Sequence, residues 1–373
     1  MTSVIQYLTT IHFGSQAITK IGELLGEHKV TRPLLVTDKG IVAAGITDPL
    51  HNLIAATFDD VQTNPDESSV LRGVEIYREA SCDGIIAVGG GSPIDCAKCI
   101  GLLATHAPPL EQYAVIRGGI NKITSSKPPL IAVPTTSGTG SEVGRAALVT
   151  LTTGEKLGII SPHMIPTVAV CDPDLTLGLP PRLTAATGMD AISHCVETYC
   201  SHRFNPVADA IALDGLQRAV HSLQAAVEDG DEKEHREEMM MASLQGGLTF
   251  QKGLGMIHSL SHPLGGLAGK RLHHGMLNAI FLPHVLRYNA VACPEKMELI
   301  AVAIGATDAE SVPEHFEKLI ETIGLPTRLA DLDVTHEDLA GIAAAAMKDH
   351  STASNPREMT LADCEALLQA ALE

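Results

Sequence analysis

Residues 85–95 read Ile85-Ile86-Ala87-Val88-Gly89-Gly90-Gly91-Ser92-Pro93-Ile94-Asp95. An unbroken apolar run of this length suits a strand covered on both faces. Three glycines then allow a tight turn and close approach of the backbone to a ligand. Ser92 reads as the N-cap of a following helix, Pro93 as its first residue and Asp95 as the acidic partner of a capping-box-like start. A strand–glycine turn–helix unit leaves free N–H groups at the helix start, where a pyrophosphate can bind. The order differs from the GxGxxG fingerprint, and glycine turns also join strands to helices without any ligand.

Outward from this unit, Pro33–Thr37, Thr57–Val61, Pro129–Val133 and Thr167–Cys171 also read as strands, with helical patterns between several of them. Such alternation predicts an α/β fold with a mostly parallel sheet. After Pro180-Pro181 the text turns rich in Ala, Leu, Met and Glu at helical spacing. Two domains are expected, an α/β domain over 1–181 and an all-α domain over 182–373, abutting so as to leave a cleft between them.

The 373 residues are 45% hydrophobic and 19% charged, with no apolar run long enough to span a bilayer and no secretory pattern at the start. A cytoplasmic protein without membrane partners is expected. Its net charge of −18 disfavours nucleic acid, whose binding rests on Lys and Arg neutralising phosphates. Eight scattered cysteines suggest free thiols, and Cys96 and Cys99 fall inside a predicted helix, where they read as packing.

A second polar turn, Pro134-Thr135-Thr136-Ser137-Gly138-Thr139-Gly140-Ser141-Glu142, can surround phosphate or ribose with hydroxyls and open backbone. Asp38, just after Pro33–Thr37, is placed to accept from a ribose 2′-hydroxyl and repel a 2′-phosphate, which favours NAD over NADP; an Asp there serves equally as a helix cap. Asp190 and His194 share one helix face at a spacing of four, His258 and His262 repeat that spacing, and His273-His274 add two more imidazoles. A carboxylate with three histidines suits Fe²⁺ or Zn²⁺ and leaves room for a substrate oxygen.

With GGGSPID, PTTSGTGSE, ATGMDAISH, GMIHSLSHPLGG and HHGMLNAIFLPHVLRYN in this order, the chain resembles the iron-containing (group III) alcohol dehydrogenases over nearly its whole length. The resemblance implies that 1–181 is the dinucleotide-binding domain and 182–373 the metal-binding domain, with metal and cofactor in the cleft, and it implies NAD, a divalent iron and a small alcohol or aldehyde substrate. It implies Asp190, His194, His258 and His274 as metal ligands, His274 being the histidine directly before glycine. It places Gly89, Gly90, Gly91 and Ser92 on the pyrophosphate, Thr135, Thr136 and Thr139 along the cofactor, and Asp38 at the adenine ribose. His262 would lie near the nicotinamide, as a proton relay or a supporting hydrogen bond. The stretch from His258 to His274 looks slightly longer than in the lactaldehyde-reductase branch, so a differently shaped loop Gly266–Leu272 is expected. A homo-oligomer, dimer or larger, is expected.

Within the family, PLLVTDKG, SEVGR and GLTFQKGLG are closest to the 4-hydroxybutyrate dehydrogenase type. Of two cations, Arg145 and Lys252, either could pair with a substrate carboxylate; arginine after SEV also occurs in family members acting on uncharged alcohols, and a lysine near a helix end is usually solvated. A general short-chain alcohol or diol dehydrogenase is the alternative. A dehydroquinate-synthase-like lyase would need a basic pocket that the acidic balance disfavours, and a silent nucleotide-binding scaffold would not need all four ligands.

Overall fold

Strand β4 (Gly84–Gly89) is buried at every position and sits inside a six-stranded sheet. The computed structural model describes residues 5, 7, 9–267, 269–270 and 272–373. The other strands of the sheet are β1 (Thr10–Phe13), β2 (Pro33–Val36), β3 (Ala56–Phe58), β5 (Leu130–Pro134) and β8 (Val168–Cys171). They run in the order β1-β8-β5-β4-β2-β3, and every pair is parallel. Successive side chains alternate between two cores. Ile85 and Ala87 join Leu34 and Val36 on one face, while Ile86 and Val88 join Leu35 on the other. This two-sided burial explains why the inner strands lack polar alternation.

Helices α1 (Ile21–Glu27), α2 (Lys39–Ala43), α3 (Glu67–Glu79) and α4 (Gly91–Thr105) connect these strands. The chain leaves β2 towards β3 but leaves β4 towards β5, so the direction of winding reverses between the adjacent strands β2 and β4. A crevice outside the carboxyl ends of strands at such a reversal is where open parallel sheets bind ligands. The residues there are Thr37 and Asp38 after β2, and the glycine turn after β4. An antiparallel hairpin of β6 (Ala146–Thr150) and β7 (Lys156–Ile160) completes this unit. Sequence reading found the apolar inner strands. It missed the partly exposed edge strand β1 and the hairpin, whose burial alternates.

The described residues divide into two compact units: one over 7–136 and 140–176, the other over 177–373 with Ser137–Thr139. The second is helical throughout its described residues: α5 (Pro181–Cys200), α6 (Pro206–Glu228), α7 (Lys233–Leu248), α8 (Met256–Gly265), α9 (His274–Asn289), α10 (Pro294–Ile304), α11 (Val312–Thr322), α12 (Ile342–Ala346) and α13 (Leu361–Leu372). Pro181 takes the first position of α5, where a missing N–H costs nothing. Helix α5 is buried from Thr184 to Cys200, so its polar residues must be satisfied inside the protein. Within the loop Gly266–Leu272, residues 268 and 271 lie outside the described set. All eight cysteines are free, and burial pushes the Cys96 and Cys99 thiols up, as packing residues require.

Candidate active site

At the end of β4, Gly89 has φ +148°, and a Cβ there would meet the Pro93 ring at 2.6 Å, so only glycine fits. Helix α4 starts earlier than Ser92: its N-cap is Gly90, with no side-chain cap. This corrects the expected capping arrangement. Ser92 Oγ accepts from Asn64 N at 3.2 Å, and Asp95 reaches away to accept from Ser141 Oγ and from Leu148 N at 2.9 Å. The first backbone N–H groups of α4 are therefore left uncapped by side chains. Thr135 N donates to Gly89 O at 3.0 Å, and a Cβ at Gly90 would lie 3.3 Å from Thr136 Oγ1, so the two polar turns touch. Buried hydroxyls without a partner among the described residues, Thr37 Oγ1 and Thr135 Oγ1, stand at the ends of β2 and β5.

Asp38 caps α2: its Oδ1 accepts from Gly40 N at 2.8 Å and Ile41 N at 3.1 Å. Both bonds use one oxygen, so capping leaves Oδ2 available and the two readings of Asp38 are compatible. Behind the turns, Lys98 is fully buried and its Nζ donates to Ser141 Oγ (2.9 Å), Gly144 O (3.0 Å) and Ala146 O (2.6 Å), beside Asp95 at 3.6 Å. Burial pushes the neighbouring Glu142 carboxyl up to about 7, against the pull of Lys98.

The second polar turn is divided between the units, because Ser137–Thr139 pack with the helical one. Gly138 O accepts from His194 Nδ1 at 3.1 Å, and a Cβ at Gly138 would strike Thr187 O at 2.7 Å. Gly138 thus serves the histidine of α5, and Thr139, half-buried, lies in the same segment.

Around Asp190 three imidazoles converge. His194, His258 and His274 bring Nε2 to 3.5, 3.7 and 3.6 Å from Asp190 Oδ1. The adjacent His273 is instead the N-cap of α9, its buried Nδ1 without a partner among the described residues. Asn278, one turn beyond His274, donates from Nδ2 to Asp190 Oδ1 at 2.8 Å and approaches His258 and His274 Nε2 at 3.2 and 3.1 Å, while its Oδ1 is unsatisfied. Burial would raise Asp190, yet the histidines hold it well below the usual carboxylate range. Burial lowers His194 to about 4 despite Asp190. Burial opposes charge on His258 too, but Glu197 and Asp190 carry it up to about 9.

The donor set fits a divalent cation. The ligand atoms of Asp190, His194 and His258 all lie within 4.8 Å of one another, and His274 Nε2 approaches the same Asp190 oxygen at 3.6 Å, a carboxylate and imidazole set of the kind that holds Fe²⁺ or Zn²⁺. Among the described residues, the hydrogen-bond donor gathered between these acceptors is a single amide with an orphaned oxygen, which a cation would replace. His262 adjoins the cluster: its ring stacks on His274 (5.3 Å, 11°) and on His350 (5.7 Å, 19°), and its Nδ1 lies 2.9 Å from Asp349 Oδ2. Burial would raise Asp349, but His262 and His350 depress it below the ordinary range.

Lys252 does not join these residues. It is 1% exposed, and its Nζ is bound by Asp209 and by Tyr199 O, so its charge is answered within the helical unit and the expectation of a substrate role is withdrawn. Arg145 is half-buried just before β6 in the other unit, its carbonyl accepting from Ser161 N. Glu197, Asn278 and Asp349 carry no sequence motif that names them, and Gly138 reads only as part of the polar turn. Helical spacing carried a signal for two: Glu197 lies seven residues beyond Asp190 and Asn278 four beyond His274.

Residues 9–173 match the iron-containing alcohol dehydrogenase family, and residues 184–372 match the C-terminal region of the Fe-containing alcohol dehydrogenase family. The chain belongs to this family. It is 48% identical to 4-hydroxybutyrate dehydrogenase of Cupriavidus necator over 98% of both chains, and 42% identical to 1,3-propanediol dehydrogenase of Klebsiella pneumoniae over 93% of this chain and 92% of the relative. Among solved structures, 1,3-propanediol oxidoreductase superposes with a TM-score of 0.94 at 40% identity, covering 99% of this chain and all of that one. Sulfoacetaldehyde reductase from Bifidobacterium kashiwanohense, in complex with NAD+, superposes with a TM-score of 0.90 at 29% identity over 100% and 99%. The protein is an alcohol dehydrogenase of the iron-containing type, with the parallel α/β and helical units of its relatives.

Proposed function

We propose that the protein interconverts a short ω-hydroxy acid such as 4-hydroxybutyrate with its semialdehyde, using the iron and NAD of its family. The observation that carries the substrate class is the 48% identity, over 98% of both chains, to a 4-hydroxybutyrate dehydrogenase. In this reading Asp190, His194, His258 and His274 hold the metal. Gly89, Gly90, Gly91 and Ser92 receive the pyrophosphate, with Thr135, Thr136 and Thr139 along the cofactor and Asp38 on the adenine ribose. When bound, Fe²⁺ supplies Lewis-acid polarisation of the alcohol or carbonyl oxygen, and NAD supplies the hydride acceptor. His262, with Nδ1 held by Asp349, keeps Nε2 available to take up and release a proton. Burial of Asp190, His194 and His258 keeps water from the ligand atoms and strengthens their electrostatics.

Arg145 is the cation proposed to answer the substrate carboxylate, which needs a fixed cation to offset its desolvation. Catalytic efficiencies for 4-hydroxybutyrate, 3-hydroxypropionate, 1,4-butanediol, 1,2-propanediol and ethanol test the reading. The hydroxy acids should exceed the neutral alcohols by at least about tenfold. Parity between butanediol and 4-hydroxybutyrate would leave a general short-chain alcohol dehydrogenase.

A further inference from the structure

Asp190, His194 and Glu197 lie on one face of α5 at i, i+4 and i+7. Glu197 is buried, and both its oxygens are used. Oε2 meets His258 Nδ1 at 2.6 Å, while Oε1 accepts from Ile257 N, also at 2.6 Å, at the start of α8. Gly255 makes this approach possible: a Cβ there would lie 3.0 Å from Glu197 Oε1 and 2.8 Å from Asn355 Oδ1. Asn355 Oδ1 accepts from the next amide, Met256 N, at 3.1 Å. One helix thus supplies two groups of the cluster and, two turns on from Asp190, the carboxylate that holds the third.

An ionised carboxylate only accepts hydrogen bonds, so the imidazole facing it must place its proton on Nδ1. That turns Nε2 towards Asp190, as the nitrogen that would give up its proton to a cation bound there. Asp190 and Glu197 together bring two negative charges, the number that a divalent cation neutralises. We infer that Glu197 is a positioning residue for the metal centre, fixing the tautomer and ring angle of His258 and supplying the second negative charge. This rests on the metal reading above.

Glu197→Gln separates the possibilities. Gln cannot accept from Ile257 N and His258 Nδ1 with both of its terminal atoms, so either a helix amide is stranded or His258 is driven to the Nε2–H tautomer. Chelator-stripped protein is titrated with Co²⁺, read by its visible absorption. Co²⁺ should bind about 10–100-fold more weakly, with an altered absorption spectrum. Asn355→Ala removes the other cap of α8 without touching His258 and should leave Co²⁺ affinity within about threefold of wild type. Affinity within about threefold of wild type for Glu197→Gln overturns the inference, as does an equal loss in Asn355→Ala, which would reduce Glu197 to a helix cap. If Glu197→Gln does not fold, Glu197→Asp keeps the charge but shortens the reach, and unchanged affinity and spectrum in that variant also overturn it. Failure of wild-type protein to bind Co²⁺ or Fe²⁺ would instead sink the metal reading itself.

Discussion

Replacing Lys98 by Met tests whether the buried network behind the glycine turn holds the nucleotide unit together. Met keeps the length and apolar stem but removes an ammonium with three acceptors, Ser141 Oγ, Gly144 O and Ala146 O, and with Asp95 at 3.6 Å. Hydrogen bonds from a charged donor contribute about 1.5–3 kcal/mol each, and burial, the main force lowering the Lys98 pKa, offsets much of that sum. What decides the outcome is the stranded partner: removing one side of a buried pair costs about 3–5 kcal/mol. Asp95 keeps Ser141 and Leu148 as donors and its side chain is 15% exposed, so the lower end applies, about 3 kcal/mol. Urea unfolding followed by circular dichroism measures it. A cycle with Asp95→Asn should show a coupling of about 1–3 kcal/mol. A loss below about 1 kcal/mol for Lys98→Met, or no coupling, would refute the reasoning.

His274→Ala should lose most bound iron while His273→Ala retains it, because only His274 was found with Nε2 3.6 Å from Asp190. Elemental analysis of matched preparations decides it, and equal metal in both variants reverses the assignment; zinc in either sample reflects its higher intrinsic affinity and is not diagnostic. Glu142 supplies a pH signature. Its folded pKa, about 7, lies above the ordinary 4.5, so the folded state keeps a proton that the unfolded chain has released. The stability this gives is full below pH 4.5 and is lost as pH rises through 7, by about 3 kcal/mol in all. Glu142→Gln should therefore gain in urea midpoint relative to wild type as pH climbs through that window. A difference independent of pH would show that Glu142 is not protonated in the fold.

Some of this protein is decided locally and is legible in one dimension. An apolar run such as Ile85–Val88 must be covered on both faces, Gly89 must be glycine at φ +148°, and Asp190 with His194, or His258 with His262, share a face because a helix repeats every 3.6 residues. The inner strands, the helical second half and the faces these side chains share followed from these rules. Lys252 illustrates what did not. Its partner Asp209 lies 43 residues away on α6, so a cation that reads as free in sequence is neutralised only once the helices pack. Ser92 and Asp95 have the composition of a helix cap, yet longer-range bonds to Asn64, Ser141 and Leu148 claim them. Gly138 reads as part of a phosphate turn, but its carbonyl is needed 56 residues on, at His194. Sequence periodicity specifies which side chains share a face of one element. Which faces meet depends on packing among elements distant in the chain, and only that packing joins Asp190, Glu197 and His258 into one centre.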